Sequence, residues 1–162
     1  MILVLLGTQN NSFHRLLEEI EKNVEKGNIT EEVVVQAGYT KFEPKTTKKS
    51  IKVFNTIPKT ELDKLIEKSN LVISHGGVGS MVTANQKGKK VIAVPRYKKY
   101  GEHVNDHQVG TIEIFAAKKY VMPIKDVSEL EQALIDIKGF IPTKYEKDKN
   151  SNIIGIIEKF IG

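Results

Sequence analysis

With 162 residues, 40% of them hydrophobic, the chain is long enough for one core and too short for two ordinary domains, so residues 1–162 are expected to form a single domain. It contains no cysteine, which excludes a disulfide framework and thiolate chemistry and fits a reducing compartment. The net charge of +5 comes almost wholly from lysines scattered through 45–52, 87–99 and 144–149, with few aromatics between them and no recognisable nucleic-acid module; a solvated surface is expected and no nucleic-acid partner, while an anionic membrane surface or a phosphorylated substrate stays open.

The opening MILVLLG is apolar, has no basic leader and is too short to span a bilayer, so it reads as a first strand over 2–6 and not as a signal peptide. A polar loop follows. Ser12 is placed to cap a helix whose Phe13, Leu16, Leu17, Ile20 and Val24 recur at helical spacing, and Gly27 closes it. Residues 33–37 make a second strand, the lysine-rich 41–50 a loop, and 51–54 a third strand. A helix is predicted from Thr60, with Leu62, Leu65 and Ile66 on one side and Asp63 completing an approximate capping box.

The centre of the chain is 70–95, which reads as strand, tight turn, helix, strand. Leu71, Val72 and Ile73 are a branched run suited to a strand buried on both faces; His75, Gly76, Gly77 and Gly79 mark the turn, 80–87 the helix, Gly88 its C-cap and 91–94 the next strand. Such a turn aims backbone N–H groups and the positive end of a helix dipole at one point, which suits phosphate, and the glycines admit close approach and positive φ; a loop needing glycine only to turn explains the residues equally well. The polar stretch 96–104 flanks the same end of the sheet. A helix over 105–119 should bury Val109, Ile112, Phe115 and Ala116, a last strand covers 120–124, and Ser128 caps a helix with Leu130, Ala133, Leu134 and Ile137 inward. A charged linker, 143–150, leads to an apolar terminal segment that packs either on its own sheet or on a partner. Alternating strands and helices imply an α/β fold, a Rossmann-like doubly wound parallel sheet, with residues 7–9, 76–80 and 96–108, which all follow strand ends, on one rim.

Taken singly, the polar motifs have plain explanations. His103 and His107 are four apart, as in a zinc pair, but no third ligand is evident, and no Asp-x-Asp pair is present to hold magnesium. Neither Gly7-Thr8-Gln9 nor 76–80 has the spacing of a dinucleotide fingerprint or a P-loop. His75 either holds the turn from a buried position or does acid–base work, and Asp106-His107-Gln108 is a fitting helix start, with Asp106 favourable near its N-terminus.

In combination, GTQ near the start, SHGGVGS, GKKVIAVPR and KKYGEHVNDHQ resemble the small subunit of two-component glycosyltransferases, the PssE type of bacterial capsule and exopolysaccharide synthesis. The pattern is similar to the eukaryotic small subunit acting on dolichol-linked N-acetylglucosamine and, more distantly, to MurG-like domains of the glycosyltransferase family 28 C-terminal type. The resemblance implies half of a GT-B enzyme: a domain binding a UDP-sugar donor, inverting and metal-independent with no cofactor, and inactive or weakly active without its partner. That partner is a membrane-anchored PssD-type acceptor-binding chain, which would bring the lipid-linked saccharide acceptor and supply the catalytic base and would hold the complex peripherally at the cytoplasmic face of the cell membrane. It also implies that Gly76, Gly77, Gly79 and Ser80 hold the diphosphate, that Gly7, Thr8 and Gln9 line the facing loop, and that Asp106, His107 and Gln108 reach the donor sugar or ribose, Gln108 bonding sugar hydroxyls. His75, Arg96 and Glu102 complete the nucleotide-sugar set. MurG-like domains often place a ribose-binding glutamate where this chain has Met81-Val82-Thr83, and since the last helix of GT-B enzymes tends to cross onto the acceptor domain, docking of the terminal helix 151–162 on the partner stands beside packing on its own sheet. Two other readings are a non-catalytic helper that positions a membrane transferase, and a flavodoxin-like or receiver-like module, the latter weakened by the absence of an acidic cluster at the strand ends.

Overall fold

A computed structural model describes residues 1–147; the expected partner-docking segment, 151–162, lies outside the described residues. Six strands, β1 (Ile2–Leu5), β2 (Val33–Gln36), β3 (Ile51–Phe54), β4 (Leu71–His75), β5 (Val91–Val94) and β6 (Met122–Pro123), form one parallel sheet in the order β3-β2-β1-β4-β5-β6. The order reverses between β1 and β4. Chain connections on either side of that point turn away from each other and leave a crevice above the strand ends.

The helices are α1 (His14–Glu25), α2 (Lys59–Lys68), α3 (Val78–Gln86), α4 (His107–Ala117) and α5 (Leu130–Asp136). Alternation along the strands divides the core. Ile2, Val4 and Leu6 join Ile73, Ile92 and Val94 in packing with α1 and α5, while Leu3, Leu5, Val72, Val91 and Ala93 pack with α2, α3 and α4. A parallel sheet covered on both faces has to be apolar at nearly every position, and the central strands β1, β4 and β5 are buried throughout.

Local punctuation departs from expectation at several ends. Ser12 does not cap α1; the N–H of Phe13 instead donates to Thr40 Oγ1 at 2.9 Å, a partner 27 residues away. Thr60 and Asp63 form no capping box, because α2 begins at Lys59 behind Pro58. Asp126, not Ser128, caps the turn before α5: its Oδ1 accepts from Ser128 N at 2.9 Å while Glu129 Oε2 accepts from Asp126 N at 2.8 Å. The last strand has two residues instead of five. On α4 the inward stripe is Gln108, Thr111, Ile112 and Phe115, leaving Val109 and Ala116 half-buried, because a glutamine takes the first core position. His75 closes β4, paired with Val94 of β5, and so belongs to the strand, not the turn.

Candidate nucleotide-binding rim

Pairing of β1 with β4, and of β4 with β5, puts the loops 7–12, 76–77 and 95–106 side by side. The residues singled out from the sequence separate here into an exposed layer and a buried one. Thr8, Gly79 and Asp106 are exposed, and Gln9, Gly77, Ser80, His107 and Gly7 are half-buried; His75, Gly76, Arg96, Glu102 and Gln108 lie beneath them.

The exposed layer centres on the start of α3. Gly77 is its N-cap residue, no side chain caps it, and no acidic residue occupies its first turn. The first intrahelical bond from the cap runs from Met81 N to Gly77 O at 3.2 Å, so the N–H groups of Val78, Gly79 and Ser80 point out of the helix end, with the dipole's positive pole behind them. Gly79 thus belongs to the helix and not to the turn before it, and the helix starts two residues ahead of Ser80. Val78, which sequence reasoning passed over, contributes one of these N–H groups.

None of Gly76, Gly77 and Gly79 has positive φ. Two of them are needed for space. A Cβ on Gly77 would lie 2.5 Å from the His75 ring, and one on Gly76 would lie 2.8 Å from Gln108 Cβ. Gly7 is needed for both reasons, since its φ is +73° and its Cβ would sit 2.4 Å from His75 Nε2. The imidazole therefore fills the gap between the two loops that flank the crevice. Gly7 does not offer a free amide: Gln36 Oε1 accepts its N–H at 3.1 Å and Gln36 Nε2 donates to its carbonyl at 3.0 Å. Gln36 was missed in the sequence, although a glutamine ending the run Val33-Val34-Val35 is the one polar side chain in that strand.

The buried layer holds the loops. Gln108 Oε1 accepts from Gly76 N at 3.0 Å and from Arg96 N at 3.1 Å, and its Nε2 lies 3.1 Å from His75 Nδ1. Its side chain is 4% exposed, so the amide expected to reach sugar hydroxyls is spent on the protein itself. Arg96, expected beside the phosphates, is 1% exposed. Its Nη1 donates to the carbonyls of Asn11 and Glu102, its Nη2 to that of Leu6, and its guanidinium lies 5.1 Å from the Phe13 ring. Glu102 faces Arg15, which donates through Nε and Nη2 at 2.8 and 3.0 Å, and it also accepts from Tyr97 N.

Burial, and then the nearby Arg96 and His103, lower the His75 pKa to about 3, so the ring is uncharged at neutral pH. Burial lowers Arg96 to about 10, which leaves it a cation. Asp106 Oδ1 accepts from Lys98 N at 2.8 Å, and Asn105 Oδ1 accepts from His107 N at 3.0 Å at the start of α4. His103 precedes α4 and His107 is its first residue, so the two do not share a helix face. Among the described residues no three His, Cys, Asp or Glu side chains lie together as a metal site, and no helix is long and apolar enough to cross a membrane.

The sequence profile of the glycosyltransferase family 28 C-terminal domain matches residues 1–160. No curated protein sequence matches. Among solved structures, the chain is similar to ALG13 in its NMR solution structure, at 15% identity and TM-score 0.64, covering 94% of this chain and 93% of that one. It is similar to Acinetobacter baumannii MurG at 15% identity and TM-score 0.59, covering 83% of this chain but 40% of MurG. For the kitacinnamycin glycosyltransferase the identity is 16%, the TM-score 0.59, and the shares are 85% and 34%. The chain thus spans well under half of the latter two proteins.

Proposed function

From the premise that this chain belongs to the glycosyltransferase family 28 C-terminal domain family, we propose that it is the donor-binding subunit of a heteromeric, inverting glycosyltransferase that uses a UDP-sugar. The observation that carries the reading is the uncapped start of α3 at the crevice between β1 and β4. Three outward N–H groups with a helix dipole behind them, and no carboxylate in the first turn to compete, suit the diphosphate of a nucleotide sugar. As the bond from anomeric carbon to phosphate oxygen breaks, negative charge grows on the departing UDP. Pre-set N–H groups stabilise that charge more than they stabilise the bound donor, which lowers the barrier.

In this reading Thr8 and Gln9 line the loop facing the helix end, and Asp106 and His107 reach the donor sugar or ribose. The glycines keep the rim open, while Gln108, Arg96, Glu102 and Gln36 set its shape from below. We place the acceptor-binding half on another polypeptide, as the resemblance to two-component glycosyltransferases implies. That partner, a membrane-anchored PssD-type subunit, binds the lipid-linked saccharide acceptor and provides the base that deprotonates its hydroxyl. The complex transfers a hexose in capsular or exopolysaccharide synthesis at the cytoplasmic face of the membrane.

Titration calorimetry of the chain, alone and co-purified with the partner, with UDP and a panel of UDP-sugars tests this. Binding that persists in EDTA is expected, with transfer only by the pair. No binding in either form refutes the donor role and leaves a helper that positions another transferase.

A further inference from the structure

The hydrogen bonds around Gln108 dictate the protonation of His75. The N–H groups of Gly76 and Arg96 are donors only and converge on one atom of the Gln108 amide, at 3.0 and 3.1 Å, so that atom is the oxygen. The other terminus is therefore the NH2 group, and it sits 3.1 Å from His75 Nδ1. An NH2 group donates, so Nδ1 carries a lone pair. A neutral imidazole has one proton, which must then lie on Nε2, the atom turned to the gap between Gly7 and Gly77.

We propose that Gln108 is a positioning residue that holds His75 as the Nε2–H tautomer, so that the ring offers the crevice a hydrogen-bond donor and no basic lone pair. The hydrogen-bond assignment stands on the protein alone; its consequence for binding rests on the nucleotide reading above. An uncharged N–H donor beside the free amides of α3 adds one more hydrogen bond for a phosphate oxygen. Because the proton is covalently held and the opposite ring nitrogen is occupied, His75 cannot act as a general base toward a ligand there. Of its neighbours, Arg96 stays cationic, and burial and then Arg96 hold His103 below the usual histidine range.

Long-range 1H–15N spectra of the nucleotide-free protein read the ring directly. His75 should show the Nε2-protonated pattern, unchanged from pH 8 to pH 5, with the His103 resonances followed in the same spectra. In Gln108→Glu the carboxylate still accepts from Gly76 N and Arg96 N but has no proton for Nδ1. At pH 8 the single ring proton should move to Nδ1, and UDP affinity should fall roughly tenfold, the loss of one hydrogen bond to a charged group. It should recover as the pH falls and Nε2 regains its proton, a trend absent from the wild type. An Nδ1-protonated wild-type ring, or a Gln108→Glu protein with the wild-type pH profile, overturns the proposal. If Gln108→Glu does not fold, the wild-type spectrum still decides. The correct tautomer without any UDP binding would remove the nucleotide reading and leave the assignment of His75 in place.

Discussion

Replacing Gly77 with alanine isolates the space filled by His75. Gly77 has φ −77° and ψ 125°, a conformation any residue adopts, so backbone strain plays no part. The added Cβ would lie 2.5 Å from His75 Cε1 and Nε2, more than 1 Å inside van der Waals contact. The ring cannot swing aside cheaply, because Gly7 closes its other flank and Gln108 holds Nδ1. Overpacking of this kind costs about 1–3 kcal/mol, and about 2 kcal/mol lowers Tm by about 4–8 °C for a chain of this size. Gly79, two residues on, is the control: no heavy atom lies within 4 Å of its Cβ position, and alanine in a helix gains up to about 1 kcal/mol over glycine. Thermal and urea unfolding of the two variants should therefore move in opposite directions, Gly77→Ala losing stability and Gly79→Ala gaining it. Equal effects at the two positions would refute the claim that the imidazole is what requires glycine.

Arg96→Met should destabilise by about 3 kcal/mol in urea, since the carbonyls of Leu6, Asn11 and Glu102 lose a charged donor in the interior. Asn85→Ala should cost about 2–4 kcal/mol and speed hydrogen exchange at Tyr145, whose N–H donates to Asn85 Oδ1 at 2.7 Å while Asn85 Nδ2 bonds the carbonyls of Tyr120 and Thr143. Stability should fall as the pH drops from about 6.5 toward 3. The unfolded chain protonates His75 in that window while the folded chain, with its pKa at about 3, does not. The slope from this one group is at most about 1.4 kcal/mol per pH unit, and His75→Gln should flatten Tm against pH by about one proton. A profile unaltered by that substitution would show that the buried ring is not the group responsible.

The α/β class, five of the six strands and the shared rim were legible because they follow from local pattern. Short β-branched runs such as Val33-Val34-Val35 and Val91-Ile92-Ala93-Val94 suit strands buried on both faces, and Gly27 and Gly88, both with positive φ, close helices as their positions suggest. The family followed from motifs read together. Strand order was not readable, because nothing local says which strands become neighbours, and a two-residue β6 carries too little pattern to separate from its flanks.

The division of the candidate site into rim and brace came from the tertiary structure alone. In the sequence Gln108, Arg96 and His75 are polar residues in a polar stretch, where a ligand contact and a buried hydrogen bond look the same. What separates them is contact across 33 residues between Gln108 and His75, 12 between Gln108 and Arg96, and 90 between Arg96 and the Leu6 carbonyl. Apolar spacing specifies which residues enter the interior, since transfer from water depends on the side chain itself. Which polar groups join them there depends on a partner waiting at hydrogen-bond distance, and only the folded chain provides it.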